Sequence, residues 1–232
     1  MRLAKFLAHC GVASRRASER LIADGRVSVG GEVVSDPARD VDAGSGVEVN
    51  GLAVLPEPHE VWALHKPIDV TSTAHEPGRR RAVTDLVESE RRLYPVGRLD
   101  ADSTGLILLT NDGELANRLT HPRYGVPKTY SARVQTRVTE DQLRRLREGV
   151  KLEDGKTAPA EARRVGEREI ELTISEGRNR QVRRMLSRVG NEVVSLRRTK
   201  FASLELGDLP KGKARQLSRS EVKRLWKDAG PT

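Results

Sequence analysis

The sequence predicts an α+β protein in which a small N-terminal domain, residues 1–56, precedes a larger one, residues 60–228, with a mainly antiparallel mixed sheet flanked by helices. Three observations predict it: helical periodicity followed by a glycine-turned hairpin near the N-terminus, a proline-stiffened Pro56-Glu-Pro-His59, and strand-like and helix-like segments from Trp62 onward. A chain of 232 residues suffices for two domains that each bury a core without disulfides.

Leu3, Phe6 and Leu7 fall at helical spacing in residues 2–9, and after Gly11 a second helix starts at Ser14 as N-cap and finishes near Gly25. That helix sets Arg15, Arg16 and Arg20 beside the apolar Ala17, Leu21 and Ile22, so one face packs while another meets phosphates. Residues 26–34 alternate on either side of Gly30-Gly31, a pair suited to the positive φ angles of a tight hairpin. The prolines at 56 and 58 prevent a regular helix or central strand and mark a linker. Beyond it, residues 93–96, 106–110, 130–134 and 170–174 read as strands, and 140–148 and 180–189 as helices. The glycine-bounded loop 97–105 joins the first two of these strands, and loops so held commonly carry chemistry.

The formal charge is +9, from 42 Lys and Arg against 33 Asp and Glu, which favours a polyanionic partner through phosphate neutralisation and counterion release. Aromatic residues make up 3% of the chain, too few to stack successive single-stranded bases, so a folded, helical RNA suits it better. A single cysteine, Cys10, excludes an internal disulfide framework and a Cys-rich zinc site, and reads as a small buried apolar residue. No apolar run approaches a membrane span and the N-terminus lacks a secretory signal, which points to the cytoplasm.

The stretch RLAKFLAHCGVASRRASERLIADGRVSVGGEVVSDPARDV resembles an S4 RNA-binding domain, because helices, arginines and hairpin occur in that family's order. Gly30 stands where the family commonly has asparagine, and either residue tolerates the turn. In the second domain, Gly97-Arg-Leu-Asp-Ala-Asp-Ser-Thr-Gly105 offers two carboxylates, Asp100 and Asp102, beside Arg98. Spacing does not choose between them, and turn-forming Asx residues explain such a loop equally well. A metal site needs more convergent oxygen ligands than the segment supplies. The other constellation is Glu176-Gly-Arg-Asn-Arg-Gln-Val-Arg-Arg-Met-Leu186. On a helix from Arg180, the residues Val182, Met185, Leu186 and Val189 form an apolar stripe, with Arg180, Arg184 and Arg188 opposite. Arg183 falls at the edge of the stripe, where a guanidinium can hold a partly buried anion through two parallel hydrogen bonds. A solvated basic face accounts for Arg184 and Arg188 but less well for Arg183.

Together these segments resemble the RsuA/RluB type of bacterial ribosomal RNA pseudouridine synthase over nearly the whole chain. The motifs run in order through His65-Lys-Pro67, the GRLD of Gly97 to Asp100, His121-Pro-Arg123, Lys128-Thr-Tyr130, the segment from Glu176 to Met185, and Leu206-Gly-Asp-Leu209. The resemblance implies an enzyme that flips out a uridine of ribosomal RNA and isomerises it to pseudouridine, with Asp100 as the catalytic carboxylate. It further implies Tyr130 as the active-site tyrosine and Arg183 as the basic residue paired with the aspartate. Arg15, Arg16 and Arg20 in the first domain and Arg98, Arg178, Arg180 and Arg184 in the second are the expected RNA contacts. The reaction moves no electrons and calls for no organic cofactor or metal; the expected partner of this monomer is ribosomal RNA or a ribosomal assembly intermediate, with the large subunit favoured. Asp69 and Ala202 stand where that family usually has glycine, and Ala214 where it commonly has an aromatic residue. Two rivals use the same residues. An S4-bearing binding protein without activity would keep the arginines but has no use for Asp100, Tyr130 and Arg183 together. A hydrolase working with Asp100 and Asp102 as a carboxylate pair would leave the S4 unit surplus.

Overall fold

Leu3, Ala4, Phe6 and Leu7 all turn inward from one helical face, and they define α1 (Leu3–His9). The next helix, α2 (Arg15–Ala23), starts where Ser14 Oγ accepts from the Ala17 amide at 3.2 Å. The computed structural model describes residues 1–74 and 80–230, and the chain forms two compact units. The first comprises Met1–Glu60 with the short segments Ser89–Leu93 and Asn111–Gly113; Val61–Glu88, Tyr94–Thr110 and everything from Glu114 form the second. Those short segments lie far from the first unit in sequence and attach through polar contacts that no periodicity announces. Arg91 pairs with Glu60 at 2.6 Å, Ser89 donates to Glu60 at 2.8 Å, and Asn111 donates to the Pro58 carbonyl at 3.1 Å.

In the first unit the helices are followed by β1 (Val27–Val29), β2 (Glu32–Val33), β3 (Val47–Val49) and β4 (Leu52–Ala53), antiparallel in the order β2-β1-β3-β4. Gly30 and Gly31 take φ of 59° and 86° in the turn between β1 and β2, as the hairpin reading required. Val27, Val29, Val47 and Val49 alternate into a core shared with Phe6, Leu7 and Ile22.

The second unit opens with β5 (Val61–Lys66), the short pair β6 (Val70–Thr71) and β7 (Arg81–Ala82), β8 (Tyr94–Val96), β9 (Thr104–Thr110) and α3 (Gly113–Thr120). Then come β10 (Lys128–Val134), α4 (Glu140–Glu148), β11 (Lys151–Leu152), β12 (Gly155–Lys156), β13 (Glu161–Gly166), β14 (Glu169–Ile174) and α5 (Gln181–Arg188). The chain closes with β15 (Val193–Phe201), β16 (Leu204–Glu205), β17 (Ala214–Gln216) and α6 (Arg219–Asp228). A nine-stranded sheet runs β13-β14-β10-β15-β9-β5-β17, with β8 added to β9 and β16 to β15. Its pairings are antiparallel except β15 against β9, so the mainly antiparallel mixed sheet and the α+β class are as the sequence predicts.

Within this sheet, the parallel contact of β15 with β9 brings two backbones unusually close. Gly105 sits at φ 109°, and a Cβ there would overlap the backbone of Arg198 on β15. On one side of the sheet Val96, Leu106, Leu108 and Phe201 pack with Leu115, Leu119 and Leu225 from α3 and α6. Thr139 and Gln142 cap α4 reciprocally, at 3.3 and 3.1 Å, and its Leu143 and Leu146 are buried. The helix expected over 180–189 begins one residue later: Arg180 is its N-cap, at φ 47°.

Candidate active site

The loop between β8 and β9 is shorter than its bounding glycines suggest, because Thr104 and Gly105 already belong to β9. It is pinned from within the second unit. Ser72 Oγ donates to the Leu99 carbonyl at 2.8 Å and accepts from the Leu99 amide at 3.0 Å, and the Asp69 amide donates to the Ala101 carbonyl at 2.8 Å. The Ser103 amide closes a turn on the Asp100 carbonyl at 3.0 Å. The two carboxylates therefore point from a fixed backbone, and their surroundings differ.

Asp102 is the tethered one. Arg180 donates to both its oxygens, at 3.3 and 3.0 Å, and Arg183 Nη2 lies 3.3 Å from Oδ2 while donating to the Asp102 carbonyl at 2.9 Å. Partial burial opposes ionisation of Asp102, but the Arg180 hydrogen bonds and the nearby Arg183 charge outweigh it and hold the carboxyl below its usual range. Asp100 is the less tethered: its Oδ2 is 3.8 Å from Arg180 Nη1, and it lines a cavity of about 310 Å³ with Tyr130. The pairing expected of Arg183 with Asp100 is thus corrected. Arg183 borders the apolar stripe as read, yet from that position its fork reaches Asp102, and Arg180 at the helix start is the guanidinium beside Asp100.

Tyr130 is buried on β10 opposite Arg198. Arg15, Arg16 and Arg20 are exposed along α2, and Arg98 is exposed while also lining the cavity. Arg178 and Arg184, expected to be free for phosphate, are engaged inside the protein. Arg178 donates to the carbonyls of Asp154, Gly155 and Lys156, at 3.2, 3.2 and 2.8 Å, and to Glu176. Arg184 holds Asp154 through both fork nitrogens, at 3.0 and 2.9 Å, which keeps that carboxyl below its usual range. Gln181 fixes the turn into α5, accepting from the Arg178 amide at 3.0 Å and donating to Glu176 at 2.6 Å.

Three basic residues were missed by sequence reasoning. Lys66 is fully buried and donates to the Pro67 carbonyl at 2.8 Å; burial pushes its ammonium down to about 8, against the pull of Asp100, Asp102 and Asp69. Burial and the Arg198 charge bring Lys128 down to about 8 as well. Arg198 is buried beside Phe201 and, like Lys128, lines the cavity. Lys66 and Lys128 stand in the HKP and KTY motifs, which was the only signal for them.

Comparison with known proteins gives this geometry its family. Residues 60–188 match the RNA pseudouridylate synthase family, and residues 1–51 match the S4 domain. The chain is 48% identical over 231 residues to ribosomal large subunit pseudouridine synthase B of Bacillus subtilis (strain 168), covering 97% of this chain and 95% of that protein. It is 34% identical to the dual-specificity RNA pseudouridine synthase RluF of Escherichia coli (strain K12), covering 98% of this chain and 79% of that one. A crystal structure of a pseudouridylate synthase superposes with a TM-score of 0.72 at 31% identity, over 97% of this chain and 99% of the other. The fold is that of an RNA-modifying isomerase with an N-terminal S4 domain. The chain belongs to the RNA pseudouridylate synthase family.

Proposed function

We propose that the protein isomerises one uridine of large-subunit ribosomal RNA to pseudouridine, with Asp100 as the carboxylate that acts at the sugar. The observation that carries this reading is the cavity of about 310 Å³ that Asp100 and Tyr130 line together, within the range that encloses a small ligand. The similarity to a large-subunit enzyme supports the choice of RNA.

The reaction breaks the bond from C1′ to N1, turns the uracil and joins C1′ to C5. Positive charge develops on the sugar and negative charge on the base, so an ionised carboxylate beside C1′ can stabilise the sugar, attack it, or remove a neighbouring proton. Asp100 takes that part; Arg180 and Arg183 act on the loop that presents it. Tyr130 packs its ring on the uracil and offers a hydroxyl for the C5 proton. A paired uridine reaches such a cavity only by flipping out of its helix, at roughly a few kcal/mol. No electrons are exchanged, and the chemistry needs no cofactor. The S4 domain, residues 1–56, grips phosphates through Arg15, Arg16 and Arg20, and the catalytic domain, residues 60–228, through Arg98 and Arg180. Arg178 and Arg184 join only by exchanging their present acceptors for phosphate. The protein works as a monomer in the cytoplasm, on ribosomal RNA or an assembly intermediate.

Asp100→Asn removes charge and basicity with almost no change in volume, so isomerisation should vanish while RNA affinity stays near wild type. Release of label from C5-tritiated uridine in ribosomal RNA, beside a binding titration, measures both. Substantial turnover by the Asn variant sinks the assignment. Asp102→Asn should be far milder, since Arg180 and Arg183 retain the Asp102 carbonyl and the remaining amide oxygen as acceptors.

A further inference from the structure

The proposed chemistry leaves two cations of the same cavity unused, Arg198, which is buried, and Lys128, which is partly buried. Lys128 and Tyr130 alternate onto one face of β10, where the register sets Tyr130 opposite Arg198 and Lys128 opposite Phe201. A bulge at Thr199 keeps Arg198 and Phe201, three residues apart, on that face. All four line the cavity that Asp100 also lines. Arg198 is 1% exposed; its Nε donates to the Leu106 carbonyl at 2.6 Å, whereas its Nη2, also buried, has no hydrogen-bond partner among the described residues. Lys128 Nζ donates to the Val126 carbonyl at 2.8 Å, which uses one of its three N–H groups, and lies 5.5 Å from the centre of the Phe201 ring. Two like charges so placed, one with an orphaned donor, are costly until an acceptor arrives.

We infer that Lys128 and Arg198 bind the carbonyl oxygens of the flipped uracil and take up the negative charge it acquires when its glycosidic bond breaks. The inference rests on the function proposed above and extends it to the base. As the C1′–N1 bond breaks, its electron pair stays with uracil and spreads from N1 onto O2 and O4, while Asp100 faces the positive C1′. When C5 joins C1′ a pair from the ring forms the new bond, the C5 proton leaves, and N1 gains a proton. The charge on O2 and O4 appears between these two events, and that is when fixed cationic donors lower the barrier. The same donors favour uracil over cytosine, whose amino group would meet donor with donor. A backbone phosphate is the poorer fit, because Arg198 lies beside the tyrosine deep in the sheet while exposed arginines such as Arg98 stand nearer solvent.

The test compares transcripts containing uridine with transcripts containing 5-fluorouridine, whose detached base carries negative charge more easily. Single-turnover rates for both are read as consumption of the starting nucleoside after nuclease digestion and chromatography, because the fluorinated base has no C5 proton to lose and stops at its C-glycoside. Lys128→Met should slow the uridine transcript on the order of 100-fold, and the fluorinated one several-fold less, with Lys128→Arg restoring much of the rate. Arg198→Lys, which keeps a buried cation where a neutral residue endangers folding, should show the same narrowing. Equal slowing on both transcripts overturns the inference and leaves a packing role. Loss of affinity with a flatter salt dependence and an unchanged rate overturns it in favour of a phosphate contact. A wild-type protein that fails to isomerise the uridine transcript overturns the proposed function, and this inference with it.

Discussion

Asp100 and Asp102 show how two like residues in one loop acquire different work from their neighbours. Asp102 spends its oxygens on Arg180 and Arg183, while Asp100 keeps an oxygen 3.8 Å from Arg180 and faces the cavity. Arg183→Lys keeps a charge but loses the fork that spans the Asp102 carbonyl and carboxylate, so it should lower the single-turnover rate at saturating RNA more than it lowers affinity. Loss of affinity without loss of rate would make Arg183 an ordinary phosphate contact. A pH dependence follows from Lys128, which burial and Arg198 bring down to about 8. Its ammonium is present below that pH and lost above it, so the rate should fall as pH rises through about 8. Lys128→Arg, which does not titrate there, should remove that alkaline limb. A limb that survives the change would take that titration away from Lys128. Helical spacing made the edge position of Arg183 legible, but not its partner Asp102 nor the roles of Lys66, Lys128 and Arg198. The sequence offered Asp100 and Asp102 without a way to choose, and Arg198 sits in a strand next to an equally basic but exposed Arg197.

Among the elements, those with an amphipathic period or a turn signal were legible: α1, α2, α4, α5 and the hairpin of β1 and β2. The strand β5 was not, because it lies between β9 and β17 and is buried along nearly its whole length, so Val61 to Lys66 has no polar alternation to betray it. Left-handed positions were half visible. Asp69 and Ala202, which stand at glycine positions of the resembling family, sit at φ 60° and 53°. Ala202 closes the turn between β15 and β16 with its amide on the Pro127 carbonyl at 2.9 Å, and the strain of its Cβ in the left-handed region outweighs the partial packing of its methyl against the core. Ala202→Gly should therefore stabilise the protein by about 1 kcal/mol, or roughly 2–4 °C in Tm. Gly105→Ala should do the opposite, since its methyl would collide with the Arg198 backbone; a loss of roughly 3 kcal/mol or more is expected in denaturant unfolding. A neutral result there would mean that β9 and β15 can separate without cost.

At the scale of the whole molecule, an excess of nine positive charges sets how the protein meets RNA before any active-site geometry matters. Several of the basic side chains are nevertheless matched internally: Arg178, Arg184, Arg163 and Arg215 each pair with a carboxylate inside the second unit. In the first unit Arg15, Arg16 and Arg20 project from α2 into solvent, while Ser18 and Ile22 of the same helix are buried. A guanidinium with no carboxylate to give up loses only water when it meets phosphate, so these arginines should carry a large share of the counterion release. Replacing Arg15 and Arg16 together by Ala should weaken binding of ribosomal RNA and reduce the slope of log affinity against log salt by about 0.7–0.9 for each phosphate no longer neutralised. Neither residue lines the cavity of Asp100 and Tyr130, so the single-turnover rate at saturating RNA should change little. Salt titrations of the double variant, with rates measured at RNA concentrations that saturate it, separate the two quantities. An unchanged slope with a collapsed rate would show that α2 shapes the chemistry and that the electrostatic grip lies elsewhere.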